Sequence, residues 1–467
     1  MWRLLYNILL ILATPIIICI LLAKKRCRRG LRQRLLGGGG LSGRSRLFSL
    51  SSLSGRPDEP NKPDGLDRPD RPTIWIHAVS LGEVVAVTPL VKELHRLHPD
   101  HRLLVSTVTE TGREAVEHRL TGIAEHRYAP LDVPWAVSRA IAQWRPVLYA
   151  FVETELWPNL LWTLRDRQVP TVMVNGRLSS RSFARQHIVG LISFYRSVLR
   201  SLTLCLMQSE RDVQRIVALG ADADRVHRTG NIKFDQPMPS MAADTSLRTE
   251  LGLHEGESLL LAGSTHAGEE EALVAAYRQI LGTHPNTVLM LAPRHIERAA
   301  DVVTMIKAAG LPVQRKSRLD SVGSGARVII LDTRGELARA YHEATVAFVG
   351  GTLVPVGGHN LLEPAVWGKP VLFGPYTDHC AEIATLLLEA GGAVRVSAAD
   401  DLARTVCAWL GDPAACRLVG EAARHTVSDN QGALQRSLDL IEACLPQAQP
   451  PSSRPAGHAP QPVIARP

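Results

Sequence analysis

Ala347-Phe-Val-Gly-Gly-Thr-Leu-Val-Pro-Val-Gly-Gly-His-Asn-Leu-Leu-Glu-Pro364 is the stretch on which the reading of the fold turns. Val346 to Val349 has the length and apolar character of a buried strand, and it breaks at Gly350-Gly351. A second pair, Gly357-Gly358, follows, and a helix opens near Asn360. Strand, glycine-rich loop and helix start together aim unpaired backbone N–H groups and a positive dipole end at one point, which suits an anion such as phosphate. The glycines would let the backbone come close to it. A plainer reading is a helix cap, because Asn360 and Glu363 stand three apart as in a capping box. Taken alone, the stretch favours the cap.

The surroundings enlarge the pattern. Short apolar runs that suit buried parallel strands occur at Ile74–Ile76, Leu103–Ser106, Val147–Val152, Thr171–Val174 and Leu202–Met207. After a proline-rich break near Asp235-Gln-Pro-Met-Pro they resume at Leu259–Ala262, Val288–Ala292, Val328–Leu331, Val346–Val349, Val371–Phe373 and Ala393–Val396. Helical stretches such as Val84–Leu97 and Pro158–Arg167 separate them. Such alternation predicts an α/β fold of two doubly wound, Rossmann-like domains with a hinge between them, facing each other across a cleft. The 467-residue length agrees with two cores plus appendages. No G-x-G-x-x-G follows a strand and no G-x-x-x-x-G-K-[ST] is present, which argues against a nicotinamide dehydrogenase and a P-loop ATPase.

The formal net charge of +8 is concentrated at one end. Before Pro57 there are 11 Lys and Arg and no acidic residue, leaving 42 basic against 45 acidic residues beyond it. That distribution points to a membrane surface rather than to nucleic acid. Leu4 to Ala23 carries no charge over 20 residues and is long enough to cross a ~30 Å hydrocarbon layer. The basic cluster Lys24, Lys25, Arg26, Arg28 and Arg29 follows it, which fits a cleaved signal peptide poorly and places the remainder on the cytoplasmic face of the inner membrane. A helix lying in the interface is the alternative. The seven cysteines include no C-x-x-C pair and read as buried, reduced thiols. The expected organisation is an anchor over 1–23, a basic flexible linker over 24–71, domains over 72–235 and 236–428, a C-terminal helix over 429–446 and a disordered tail over 447–467.

Residues just past the strand ends carry the chemistry, since open α/β sheets bind ligands there. His77-Ala-Val-Ser-Leu-Gly-Glu83 ends the first strand and opens the first helix of the domain. Glu83 is either the N3 member of a capping box with Ser80 or a general base. Glu153-Thr-Glu155-Leu-Trp-Pro158 sets two carboxylates before a helix with proline in its first turn. Keeping both at a buried strand end costs desolvation, which hints at use. Arg177, Arg181 and Arg185 stand four apart, on one face if helical, and could hold phosphate or carboxylate rather than form a solvated basic face. Lys233, at the hinge, could offset charge on a leaving group. Four histidines (77, 266, 295, 359) lie at strand ends, but none has H-x-x-x-H spacing, so no metal is expected.

In order along the chain, His77–Glu83, Glu153-Thr-Glu-Leu-Trp-Pro-Asn159, Gly263-Ser-Thr-His266, Gly350-Gly-Thr-Leu-Val354 and Gly357-Gly-His-Asn-Leu-Leu-Glu363 resemble the 3-deoxy-D-manno-octulosonic acid (Kdo) transferases of Gram-negative lipid A biosynthesis. The resemblance runs from about Trp75 to Arg436. It implies a GT-B glycosyltransferase that binds CMP-Kdo in its C-terminal half and meets a lipid A precursor (lipid IVA) with its N-terminal half. It also implies inversion at the anomeric carbon without a metal or cofactor. On that resemblance Glu83 is the base, and Glu153 and Lys233 stabilise the transition state. Pro293, Arg294, Arg334, Gly335, Glu336, Asn360, Leu361, Leu362 and Glu363 would then bind the nucleotide. The sequence departs from the family at Ala267, Ile296, Leu361, Gly176 and Arg334, none of them an assigned carboxylate. Two rivals stand beside this reading. One is another GT-B nucleotide-sugar enzyme, either an epimerase or a transferase with a different donor. The other is a membrane-tethered binding module without activity.

Overall fold

The computed structural model of the chain describes residues 1–23, 34, 71–188, 190–235, 247–318 and 327–445. The linker expected over 24–71, apart from Arg34 and Arg71, and the tail expected over 447–467 lie outside the described residues. So does most of the proline-rich break.

The chain divides into two units, Met1–Gly230 with Leu434–Pro467, and Asn231–Ala433. Lys233 and the short 3₁₀ turn Ile232–Asp235 that carries it belong to the second unit. From Leu434 the helix Ala433–Glu442 belongs to the first unit, where Arg436 Nε donates to the Thr229 carbonyl at 2.8 Å.

The first unit holds a seven-stranded sheet of β1 (Thr73–His77), β2 (Arg102–Thr107), β3 (Glu125–Tyr128), β4 (Pro146–Val152), β5 (Thr171–Gly176), β6 (Leu204–Met207) and β7 (Val226–Arg228). All pairs are parallel, in the order β3-β2-β1-β4-β5-β6-β7. Strands covered on both faces can be apolar throughout, and β1 is buried at every position. Its Trp75 packs edge-on against Trp144 and Tyr149, with ring centroids 4.7 and 4.6 Å apart. The indole N–H donates to Ser106 Oγ at 2.7 Å, so the ring buries no unpaired donor.

The second unit holds β8 (Ser258–Thr265), β9 (Thr287–Pro293), β10 (Val313–Arg315), β11 (Val328–Ile330), β12 (Val346–Val349), β13 (Val371–Phe373) and β14 (Ala393–Arg395). These are parallel too, in the order β10-β11-β9-β8-β12-β13-β14. Its core closes around Tyr277, whose hydroxyl donates to the carbonyls of Thr287 and Arg327 at 2.7 and 2.8 Å. Two doubly wound parallel sheets are therefore present, one per unit. The strands the sequence reading passes over, β3, β7 and β10, are sheet edges written Glu-His-Arg-Tyr, Val-His-Arg and Val-Gln-Arg. Polar edge strands resist edge-to-edge pairing and carry no apolar run to detect.

No helix among the described residues is long and apolar enough to cross a membrane, so the spanning reading of the N-terminal segment finds no support. The helix Trp2–Ala23 instead lays one face of its first turns on the first unit. Tyr6 Oη donates to Asp132 at 2.9 Å, Asn159 Nδ2 donates to Asn7 Oδ1 at 2.7 Å, and Trp2 meets Phe194 edge-on at 5.9 Å. The opposite face leaves Leu4, Leu9 and Leu12 more than half exposed. Cys205, Cys380, Cys407, Cys416 and Cys444 are free thiols.

Candidate active site

The strand order reverses between β1 and β4 in the first sheet and between β8 and β12 in the second. Ligands of open parallel sheets collect beyond the carboxyl ends of strands at such a reversal. His77–Glu83 follows β1 and Glu153–Trp157 follows β4; Ser264–His266 ends β8 and Gly350–Leu353 follows β12. The motifs singled out in the sequence sit at the two reversal points.

In the first unit Ser80 caps the helix Leu81–Leu97, its side chain accepting from Glu83 N at 3.4 Å. Glu83 returns the contact: Oε2 accepts from Val79 N at 2.7 Å and Oε1 from Ser80 Oγ at 2.8 Å. The capping box is therefore formed. Burial pushes the Glu83 carboxyl up to about 7, against the hydrogen bonds from Ser80 and Val79 and with help from the negative charges of Glu153 and Glu155. The cap fixes the side chain and burial tunes it, and a formed cap is compatible with the general-base reading of Glu83. A carboxyl titrating near neutrality is matched to taking a proton at pH 7.

Glu153 holds a left-handed backbone (φ 59°), as do Asn175 (φ 56°) at the end of β5 and Ser264 (φ 58°) at the end of β8. A non-glycine residue in such a conformation costs on the order of 1–3 kcal/mol and persists where the surroundings over-determine it. Glu155 Oε2 accepts from Trp157 Nε1 at 3.1 Å, and Trp157 stands edge-on to His77 with centroids 5.3 Å apart. His77 is buried, with Nδ1 2.9 Å from Ser106 Oγ. Burial lowers it to about 4, so the ring is neutral at pH 7. Its Nε2 has no partner among the described residues.

The three arginines do not share a helix face. The helix Ser180–Gln186 begins after Arg177, which lies in the turn behind β5 and whose carbonyl accepts from Thr154 Oγ1. Leu178 N is taken by Asp212 Oδ1 at 2.8 Å, which holds the intervening turn out of helical register. Arg181 and Arg185 lie one helical turn apart and are exposed.

In the second unit the first half of the glycine-rich loop is organised by a carboxylate of the protein itself. Glu269, wholly buried, accepts from Gly351 N at 2.7 Å, Thr352 N at 3.0 Å, Leu353 N at 2.9 Å and His266 N at 2.9 Å. The amides of this half of the loop are filled by the protein's own carboxylate. Gly350 serves the same packing: a Cβ there would stand 2.5 Å from the Ser264 carbonyl oxygen. The glycine brings two rim loops together rather than a ligand to the backbone.

The cap reading survives at the second half. Leu362 N donates to Asn360 Oδ1 at 3.1 Å, and Asn360 Nδ2 reaches Glu363 Oε1 at 3.4 Å. The helix that follows, Leu362–Ala365, has only four residues and no useful dipole. Leu361 and Leu362 are core side chains, so they can meet a ligand only through their backbone. Gly358 holds φ 86° and keeps the turn open to this shape.

Around that turn the nucleotide residues expected from the sequence partly converge. Pro293 ends β9; the exposed Arg294 beside it lowers both Glu363 and His359 by its charge. Burial nonetheless leaves Glu363 raised and His359 lowered to about 4. His266 and His359 stack with rings 4° from parallel, their Nε2 atoms 2.8 Å apart, and His295 meets His266 edge-on at 5.9 Å. A hydrogen bond between two neutral imidazoles needs one ring to donate and the other to accept. Arg334 pairs at 3.6 Å with Glu297, three residues past Arg294, and both are largely exposed. Gly335 follows at φ 83°. Glu336 is taken by Lys316 Nζ at 2.6 Å and by Thr333 Oγ1; burial raises its carboxyl, but these two partners outweigh it and hold the group low. Lys233, on its 3₁₀ turn, donates its backbone N–H to Asn231 Oδ1 at 3.1 Å. Among the described residues no group of three or more His, Cys, Asp or Glu is placed to hold a metal ion.

Two residues the sequence reading missed organise these sites. Glu269 stands in Gly268-Glu-Glu-Glu271, where three successive glutamates at a helix start look like dipole partners. Asp132 follows an edge strand that leaves no apolar signature. It accepts from Asn159 N at 3.1 Å, Leu160 N at 2.9 Å and Tyr6 Oη, starting one helix and holding another.

Residues 51–236 match the family described as 3-deoxy-D-manno-octulosonic-acid transferase (kdotransferase). A 3-deoxy-D-manno-octulosonic acid transferase of Haemophilus influenzae is 36% identical over 451 residues, covering 95% of this chain and 99% of that one. Among solved structures, a glycosyltransferase from Rickettsia africae matches with a TM-score of 0.54 at 15% identity, covering 81% of this chain and all of that one. The Neisseria meningitidis UDP-GlcNAc 2-epimerase matches with a TM-score of 0.53 at 11% identity, covering 80% and 99%. The two structural likenesses show a GT-B type of fold, with two Rossmann-like domains, and nothing finer.

Proposed function

The chain belongs to the 3-deoxy-D-manno-octulosonic acid transferase family and is a Kdo-transferring glycosyltransferase; from that premise we propose that CMP-Kdo is its donor and the sugar hydroxyl of a lipid A precursor, lipid IVA, its acceptor. The observation that carries the reading is Glu83: fixed by two hydrogen bonds beyond β1, and with a carboxyl raised to about 7. Its carboxylate takes the proton of the acceptor hydroxyl. The oxygen so freed attacks the anomeric carbon from the face opposite the phosphate, the bond to the phosphate oxygen breaks, and CMP departs with that electron pair. Inversion follows from this single displacement.

Glu153, held in its left-handed conformation near Glu83, is the group we assign to the positive charge that develops on the sugar. Lys233 is assigned to the negative charge on the departing phosphate, a role that calls for no metal or cofactor. The donor set is Pro293, Arg294, Arg334, Gly335, Glu336, Asn360, Leu361, Leu362 and Glu363, with His266 and His359 added beside Arg294. Glu363 faces ribose hydroxyls, and Leu361 and Leu362 contribute backbone groups only. Arg177, Arg181 and Arg185 meet acidic groups of the acceptor.

The N-terminal helix serves as a tether that lies along the cytoplasmic face of the inner membrane. Its outward apolar side chains and the basic run after it support that placement. Incubating the purified chain with CMP-Kdo and lipid IVA tests the proposal. Release of CMP with a Kdo-bearing lipid is expected; donor hydrolysis without a lipid product, or turnover of a UDP-sugar instead, refutes it.

A further inference from the structure

Within the first unit, the N-terminal helix and the loops beside it flank a half-open cavity of about 290 Å³ that none of the roles above uses. Leu10 and Thr14 of the helix form one side; Leu131 and Val133 past β3, and Leu156 and Trp157 past β4, form the other. The space is larger than the ~150 Å³ in which an apolar cavity takes up benzene and far above the ~30 Å³ share of one water.

The polar groups in its wall are already satisfied. Tyr6 Oη donates to Asp132, Asp132 also accepts the Asn159 and Leu160 amides, and Thr14 Oγ1 donates to the Leu10 carbonyl at 2.7 Å. A wall of satisfied groups and aliphatic side chains offers water little and hydrocarbon much.

Trp157 links this space to the reaction rim. One face of the residue lines the cavity, while its ring meets His77 edge-on at 5.3 Å and its Nε1 donates to Glu155. Leu156 stands next to Glu155 in the same segment. A molecule with an apolar tail in the cavity would hold its head beside the carboxylates that follow β4. The helix forming the outer wall turns Leu4, Leu5, Ile8, Leu9, Ile11 and Leu12 outward, at 44–70% exposure, as a helix resting on a bilayer does.

We propose that this cavity is an acyl-chain slot, in which one hydrocarbon chain of the acceptor lipid lodges between the N-terminal helix and residues 131–133 and 156–158 while its sugar reaches Glu83. The proposal rests on the lipid-acceptor reading above. It gives the helix a second task besides tethering: it supplies half of a substrate subsite, so helix docking and acceptor binding are coupled.

Two acceptors separate the possibilities: a tetraacylated glucosamine disaccharide bisphosphate and the same disaccharide stripped of its chains. Leu10→Trp fills the slot, and the preference for the acylated acceptor, as a ratio of kcat/KM values, should fall roughly tenfold, the effect of expelling about two buried methylenes. Leu10→Met, which conserves volume, should keep the ratio. An unchanged ratio in Leu10→Trp overturns the slot. If the unsubstituted chain transfers Kdo to neither acceptor, the lipid-acceptor reading itself has failed, which is a different result. Should Leu10→Trp lose all turnover, a benzophenone side chain at position 10 of the full chain decides. An adduct with the tetraacylated disaccharide upholds the proposal, whereas adducts confined to phospholipid or to residues 35–70 of the chain refute it.

Discussion

Glu269 accepts the backbone N–H of Gly351 at 2.7 Å. With Thr352, Leu353 and His266 also bound to it, one buried carboxylate ties the loop after β12 to the loop after β8. These two rim loops, which we assign to the donor, are thus preorganised by a carboxylate belonging to the protein. Their shape does not wait for a ligand.

Replacing Glu269 by alanine leaves several buried amides without an acceptor, each costing about 1–3 kcal/mol. The variant should lose on the order of 3 kcal/mol in denaturant unfolding, and its donor KM should rise while the acceptor KM holds. A donor KM equal to that of the parent would show that this loop is not part of the donor site.

Gly350→Ala tests the same junction by crowding. The new methyl would press on the Ser264 carbonyl at 2.5 Å, and overpacking of this kind costs about 1–3 kcal/mol. A lowered Tm is the expected outcome; unchanged stability would mean that the loops can separate at no cost.

Arg294 is an exposed cation whose charge reaches both Glu363 and His359. Arg294→Ala should weaken donor binding by about 10- to 100-fold, the range for a charge-assisted hydrogen bond of ~1.5–3 kcal/mol. Isothermal titration with CMP measures it, and equal affinities would remove Arg294 from the donor set.

Glu83 has a pKa raised to about 7 in the folded chain from an ordinary value of 4.5. Between those values the folded state binds a proton that the unfolded state has released, so this group's contribution falls as pH rises from about 4.5 to 7. Glu83→Gln removes that slope. Its Tm relative to the parent should therefore be higher at pH 8 than at pH 4.5; a difference independent of pH would contradict the raised value.

What the sequence disclosed follows from where apolar residues are required. The central strands β1, β4, β8, β9 and β12 are buried on both faces and announce themselves as apolar runs, and their ends carried the motifs. The edges β3, β7 and β10 are polar and were silent. Glu83 was legible as cap or base because both roles use one spacing; its burial, which makes them compatible, is a tertiary property. That the amides of Gly351 to Leu353 bind Glu269 was not legible, because an amide nest looks the same whichever anion fills it. Arg177 was misplaced for a local reason, since Asp212 stops the turn before the helix begins. The N-terminal segment reads as apolar all round, and only the contacts of Tyr6 and Asn7 show that one face belongs to the protein.

The central claim is that Glu83 activates the acceptor hydroxyl in a Kdo transfer. The most direct test is mass spectrometry of the lipid formed from CMP-Kdo and lipid IVA by the parent chain and by Glu83→Gln, with CMP binding measured in parallel. The account expects a Kdo-bearing lipid from the parent, a loss of about 10²–10⁴ in rate in the variant, and equal CMP affinity in both. Parent-like turnover by Glu83→Gln would return Glu83 to its capping role alone and contradict the mechanism.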